Sequence, residues 1–206
     1  TILGAGLLWF GWFGFNAGSA LAANGLAASA FVTTHLAAAA AAVSWIVVEW
    51  LHRGKPTTLG MASGAVAGLV AITPAAGFVE PMPAILMGLV AGALCYGGVL
   101  MKGVFKYDDS LDVVGIHGLG GTFGALATGL FATKTVNELG ADGLFYGNPG
   151  QLWIQFLSVV ATWAFCFVMS LILFKVVDLM VGIRVSQEDE NKGLDVSQHS
   201  EVGYQL

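Results

Sequence analysis

Long apolar runs, broken by short polar clusters, set the rhythm of this 206-residue chain. Six runs stand out, at roughly 2–20, 27–50, 58–76, 82–101, 112–132 and 151–183. None alternates apolar and polar residues with a period of two, which argues against membrane strands. A helix needs about 20 apolar residues to cross about 30 Å of hydrocarbon, and each run is near or above that length. Helices satisfy their own backbone hydrogen bonds, which lipid cannot do for them. An all-α, polytopic bundle of six transmembrane helices is therefore predicted. The last run is long enough that it must tilt strongly or project beyond the bilayer. After Val185 the pattern turns polar, giving a transmembrane domain over 1–185 and a tail over 186–206. That tail is too short for a folded domain of the usual ~50 residues or more.

Composition sharpens this picture. The hydrophobic share is 56%, charged residues are 10%, and the mean hydropathy is +0.78. A soluble domain carries about 25% charged residues, so this chain cannot cover a globule with polar surface. Basic residues set the orientation. Arg53, Lys55, Lys102, Lys106, Lys175, Arg184 and Lys192 fall on one side of the six runs, and Lys134 alone falls on the other. Both ends are thus expected in the cytoplasm. The net charge of −5 comes partly from Glu188, Asp189, Glu190, Asp195 and Glu201 in the tail, and no basic face suggests nucleic acid. Cys95 and Cys166 lie within runs and read as small packing residues, not as a disulfide framework. The chain enters an apolar run directly from Thr1, without initiator Met, charged leader or cleavage site, so it reads as truncated at its front and not as a signal peptide.

Glycine numbers 29, and much of it lies inside the runs, where small residues let helices approach closely. The sharpest local feature is Asp112-Val113-Val114-Gly115-Ile116-His117-Gly118-Leu119-Gly120-Gly121. At 100° per residue, Val113, His117, Gly120, Gly121, Gly124 and Thr128 share one helical face. An ionisable residue inside a span marks a transport path or relay, and a dry site keeps an imidazole neutral, able to donate and to accept. A structural hydrogen bond to a neighbouring helix is the alternative. Asp112 points away from His117 and reads as a helix cap or interfacial group. Leu8, Trp12, Phe15 and Ser19 recur on one face of the first run. Aromatic faces attract cations, although aromatics are also ordinary at bundle interfaces. His35, beside Thr33 and Thr34, suits a hydrogen bond to a neighbouring helix. His52 and His199 read as solvated, and Lys175 with Asp178 as an i, i+3 pair. No catalytic triad, metal-ligand spacing or complete nucleotide motif survives in these apolar surroundings, so neither an enzyme nor a cofactor is expected.

Gly11-Trp12-Phe13-Gly14-Phe15-Asn16-Ala17-Gly18-Ser19 resembles a signature of the ammonium transporter (Amt/Rh/methylammonium permease) family. So do Glu49-Trp50 with Arg53-Gly54-Lys55-Pro56, Ser63 through Val70, Thr73-Pro74-Ala75, Asp112 through Gly121, and the tail from Gly182 to His199. The resemblance implies an eleven-span fold of two inverted halves plus a long final helix, with this chain similar to spans six to eleven. It implies a homotrimer with one pore per subunit. It further implies a gate at Phe15, ammonium recruitment at Ser19, a hydrophobic pore lined by Leu8, Trp12 and Val113, and His117 as the second of two pore histidines. The first histidine, the other gate phenylalanine and the recruitment tryptophan belong to the family's first half, and His35 occupies none of those positions. The function expected is ammonium recruitment, deprotonation and conduction through the bilayer. Two other readings stand beside it: an ammonium sensor whose tail meets a P-II-class nitrogen-regulatory protein, and a half-transporter that pairs with itself.

Overall fold

The structure is a computed structural model that describes residues 1–203, and every element among the described residues is helical. Two compact units divide it, Thr1–Val159 and the segment from Val160 onward. The first unit begins with α1 (Ile2–Asn16), followed by a 3₁₀ turn at Gly18–Ala20. Then come α2 (Gly25–Arg53), α3 (Thr58–Ile72) and α4 (Pro81–Phe105). A π-helical turn at Val114–Gly118 leads into α5 (Leu119–Phe131), and α6 (Pro149–Val181) follows the long loop.

Local chemistry explains most of these boundaries. The Asn24 side chain accepts from the Ala27 amide at 3.0 Å and starts α2, and Gly54, at φ 77°, ends it. Thr57 caps α3 by accepting from Gly60 N at 2.9 Å, so Pro56 stands just ahead of the helix and not inside it. Pro81 opens α4, where a missing amide donor costs nothing. Pro74 follows α3 and has no N–H to continue the ladder, so the helix ends at Ile72 with Thr73 as its cap.

Among the described residues, four segments are long and apolar enough to cross a membrane: α2, α4, the Val114–Phe131 stretch and α6. The runs expected at 2–20 and 58–76 yield helices of only 15 residues each. Such a helix reaches about 22 Å, and the remaining residues of both runs fold into turns.

Side chains of almost no volume form the core of the first unit. Ala37, Ala38 and Ala41 of α2 are fully buried. Gly64 and Gly68 of α3 and Gly88 and Gly92 of α4 face that strip, each so close that an added Cβ would lie within 2.3–2.5 Å of an α2 atom. These pairs repeat every fourth residue, the spacing that lets helix backbones pack in lipid. Gly124 of α5 sits the same way over Ala71 of α3, where a Cβ would fall 2.0 Å from the Ala71 carbonyl oxygen. Glu49 is only 4% exposed, and its carboxylate is satisfied by the Thr57 amide at 3.0 Å and the Thr57 hydroxyl at 3.0 Å.

In the second unit no α6 residue is buried, and α7 (Gln187–Lys192) and α8 (Leu194–His199) follow. Ser186 caps α7 through the Asp189 amide at 3.1 Å. Arg184 grips Glu190 with Nε and Nη2, at 2.8 and 3.1 Å. Lys175 and Asp178 form the expected i, i+3 pair at 3.7 Å, exposed and so worth little.

Candidate functional site

Trp12 is anchored by a hydrogen bond. Its indole N–H donates to Thr73 Oγ1 at 2.8 Å, and that hydroxyl in turn donates to Leu69 O at 2.7 Å. The Trp12 ring meets Phe15 edge to face, with centroids 6.2 Å apart at 83°. Leu8, Trp12 and Phe15 line one apolar groove of about 610 Å³ along α1, together with Gly4, Leu7 and Gly11.

Phe15 also walls a second, more polar cleft of about 290 Å³, shared with Asn16, Ser19, Thr73, Phe78 and Asn137. Ser19 does not continue the helical face as its spacing suggested. The helix stops at Asn16, and Ser19 sits on the 3₁₀ turn that follows, so it joins the cleft and not the groove. Its hydroxyl donates to Phe15 O at 2.6 Å, which leaves oxygen lone pairs facing outward as acceptors.

Sequence reading missed Asn16. It is 9% exposed, its amide donates to Thr34 Oγ1 at 3.0 Å, and Thr34 in turn donates to Ala30 O at 2.6 Å. A polar residue at the end of an otherwise apolar helix was the available signal. Asn137 was invisible, because only the fold brings the 132–148 loop back to the cleft.

The π turn changes the face proposed for the fifth run. One extra residue closes that turn, so the 100° step fails between Val113 and Leu119. Gly120, Gly124 and Thr128 are buried, whereas Val113 is 48% exposed and His117 is exposed. Neither Val113 nor His117 lines the groove or the cleft. The expected burial of the imidazole is thus not supplied by this chain. Ile116 beside it is buried, in the same cluster against which Trp12 packs.

Asp112 does not cap the helix. Asp109 does, and Asp112 pairs with Lys102. His35 meets α1 through rings and not a hydrogen bond, 5.3 Å from Trp9 and 6.0 Å from Phe13. His52 is not simply solvated, since its Nδ1 lies 2.7 Å from the Tyr96 hydroxyl. Among the described residues, no group of His, Cys, Asp and Glu gathers as a metal site.

The arrangement offers an acceptor and aromatic faces beside an open, apolar face of α1. Comparison with known proteins gives it context. A family model described as the Ammonium Transporter Family matches residues 1–204. The chain is 53% identical to the ammonium transporter of Bacillus subtilis (strain 168), covering 100% of itself and 51% of that protein. It is also 53% identical to ammonium transporter Amt1 of Archaeoglobus fulgidus, covering 99% of itself and 51% of that relative. Among solved structures, Saccharomyces cerevisiae Mep2 superposes with a TM-score of 0.87 at 37% identity, over 91% of this chain and 43% of that one. A structure titled Sensor Amt Protein superposes with a TM-score of 0.84 at 33% identity, over 95% of this chain and 48% of that one. The chain spans about half the length of the curated relatives it matches.

Proposed function

The chain belongs to the ammonium transporter family, and from that membership we propose that the protein moves ammonium or ammonia across a membrane. The supporting observation is Phe15, which lines a polar cleft on one side and an apolar groove on the other. Ammonium docks in the cleft against the Ser19 lone pairs and the aromatic face of Phe15. Where that apolar face is enclosed in the intact protein, moving on as a bare cation costs several kcal/mol of desolvation. The same penalty favours loss of a proton, because burial disfavours a charged amine. Neutral ammonia then passes Leu8, Trp12 and Val113, and His117 handles its hydrogen bonds or the proton. Potassium has no proton to surrender, so the route separates ions of similar size by chemistry. Walls beyond those of this chain complete the passage around His117.

The test is ammonium-evoked current from the intact protein in liposomes on a solid-supported membrane. His117→Ala is expected to abolish the flux or its selectivity over potassium. Unchanged current and selectivity refute the relay.

One observation favours a second reading, the likeness to the structure titled Sensor Amt Protein. In that reading the tail at 186–206 lies in the cytoplasm of a homotrimer and meets a P-II-class regulatory protein. Deleting 186–206 then disturbs partner binding or coupling between pores, and untouched binding and flux sink the idea.

A further inference from the structure

His117 rides on a turn that closes with π geometry instead of α geometry. Such turns are rare and occur frequently at functional sites, and this one is held from several directions. Asp109 spends both carboxylate oxygens on its start: Oδ1 accepts from Val113 N at 2.8 Å, and Oδ2 from Val114 N at 2.9 Å. Lys102 of α4 donates to the Asp109 carbonyl at 2.9 Å and also pairs with Asp112. Asp112 has φ 58°, uncommon for a residue with a side chain, and its carbonyl accepts from Ile116 N at 3.0 Å. From the α4 side, Cys95 donates to the Ile116 carbonyl at 3.7 Å. Gly98 and Gly115 meet there with no room for a Cβ on either.

We propose that Asp109, locked in place by Lys102 and Asp112, is the positioning residue for His117: it fixes the π turn and so aims the imidazole and Val113 at the route. The proposal rests on the transport reading above. Asp109 reaches no groove or cleft residue. Its two bonds go to the amides of Val113, a route residue, and Val114, the first residue of the turn. A carboxylate serves both amides at once, whereas an amide side chain has one oxygen to offer. Removing Asp109 therefore leaves recruitment at Ser19 intact and loosens only the conducting step.

The experiment compares Asp109→Ala, Asp109→Asn, Lys102→Met and His117→Ala in the intact, reconstituted protein, with ammonium-evoked flux and amide hydrogen exchange as readouts. Asp109→Ala is expected to lower maximal flux about tenfold, with an unchanged half-saturating concentration and an altered pH profile. Asp109→Asn keeps one acceptor and falls between, and Lys102→Met follows it. In all three, amides 113–118 exchange faster than in the parent. Where Asp109→Ala fails to fold, Asp109→Asn decides. Parent-like flux in Asp109→Asn and Asp109→Ala, alongside a dead His117→Ala, overturns the positioning role alone. Unaltered exchange at 113–118 also overturns it, because that readout does not depend on transport. Parent-like flux in His117→Ala instead removes the transport reading on which the proposal rests.

Discussion

Replacing Gly88 by Ala adds one methyl group to α4 at its closest approach to α2. An ideal Cβ there lies 2.3 Å from the Ala37 carbonyl oxygen and 2.9 Å from the Ala37 Cα, whereas ordinary contacts start at 3.4 Å. The helices must part by about 1 Å, a strain that close-packed interiors transmit instead of absorbing. Both nearest atoms belong to backbone, so no rotamer change relieves the clash. Overpacking costs about 1–3 kcal/mol, and the rigid partner puts this site at the upper end. Better helix propensity returns up to about 1 kcal/mol, leaving a net loss of about 2 kcal/mol or more. At about 2–4 °C per kcal/mol for a domain of this size, the melting temperature falls by roughly 4–8 °C. The control is Gly97→Ala on the same helix, where nothing lies within 4 Å and only the propensity gain operates. Thermal unfolding in detergent, followed by size-exclusion chromatography, reads both. Should the two variants melt together, close glycine packing does not hold these helices.

Other expectations follow from the same contacts. Glu49→Ala strips the Thr57 amide and hydroxyl of a buried partner, so stability falls by about 3 kcal/mol and amides near the start of α3 exchange first; a parent-like melt is incompatible with this. Trp12→Phe keeps a ring but removes the donor to Thr73. It is expected to cost about 1 kcal/mol, and the Trp12→Phe, Thr73→Val double variant is the check, since the losses of the two single changes should not add in full when the pair shares one bond. Ser19→Ala raises the half-saturating ammonium concentration about fivefold with little change in maximal flux, and an unmoved half-saturation point discounts Ser19 as the docking acceptor.

Elements were legible where side-chain chemistry marks them. Apolar run length located α2, α4 and α6, and the Gly54 and Pro81 boundaries follow from backbone preferences visible in one sequence. The end of α1 was hidden, because Ala17-Gly18-Ser19-Ala20 carries no charge and contains no proline. The π turn was hidden for a different reason. A fixed angular step cannot register one inserted residue, and the side chains bonded around its start, Asp109 and Lys102, lie outside the run. For the same reason Asp112 looked like the cap, since sequence distance alone does not separate two aspartates three positions apart. Leu8, Trp12 and Phe15 came together as their spacing suggested. Val113 and His117 did not join them, since nothing in a helical spacing says which surface of the bundle a neighbouring turn will present.

The bond from the Ser19 hydroxyl to Phe15 carries a consequence for the kind of guest that cleft admits. With its only hydrogen already committed along the chain, that oxygen presents nothing but electron pairs. In the transport reading proposed above, such an oxygen suits species rich in N–H better than it suits chloride or nitrate. On that reading the preference is oriented by a main-chain carbonyl that no side-chain substitution can delete.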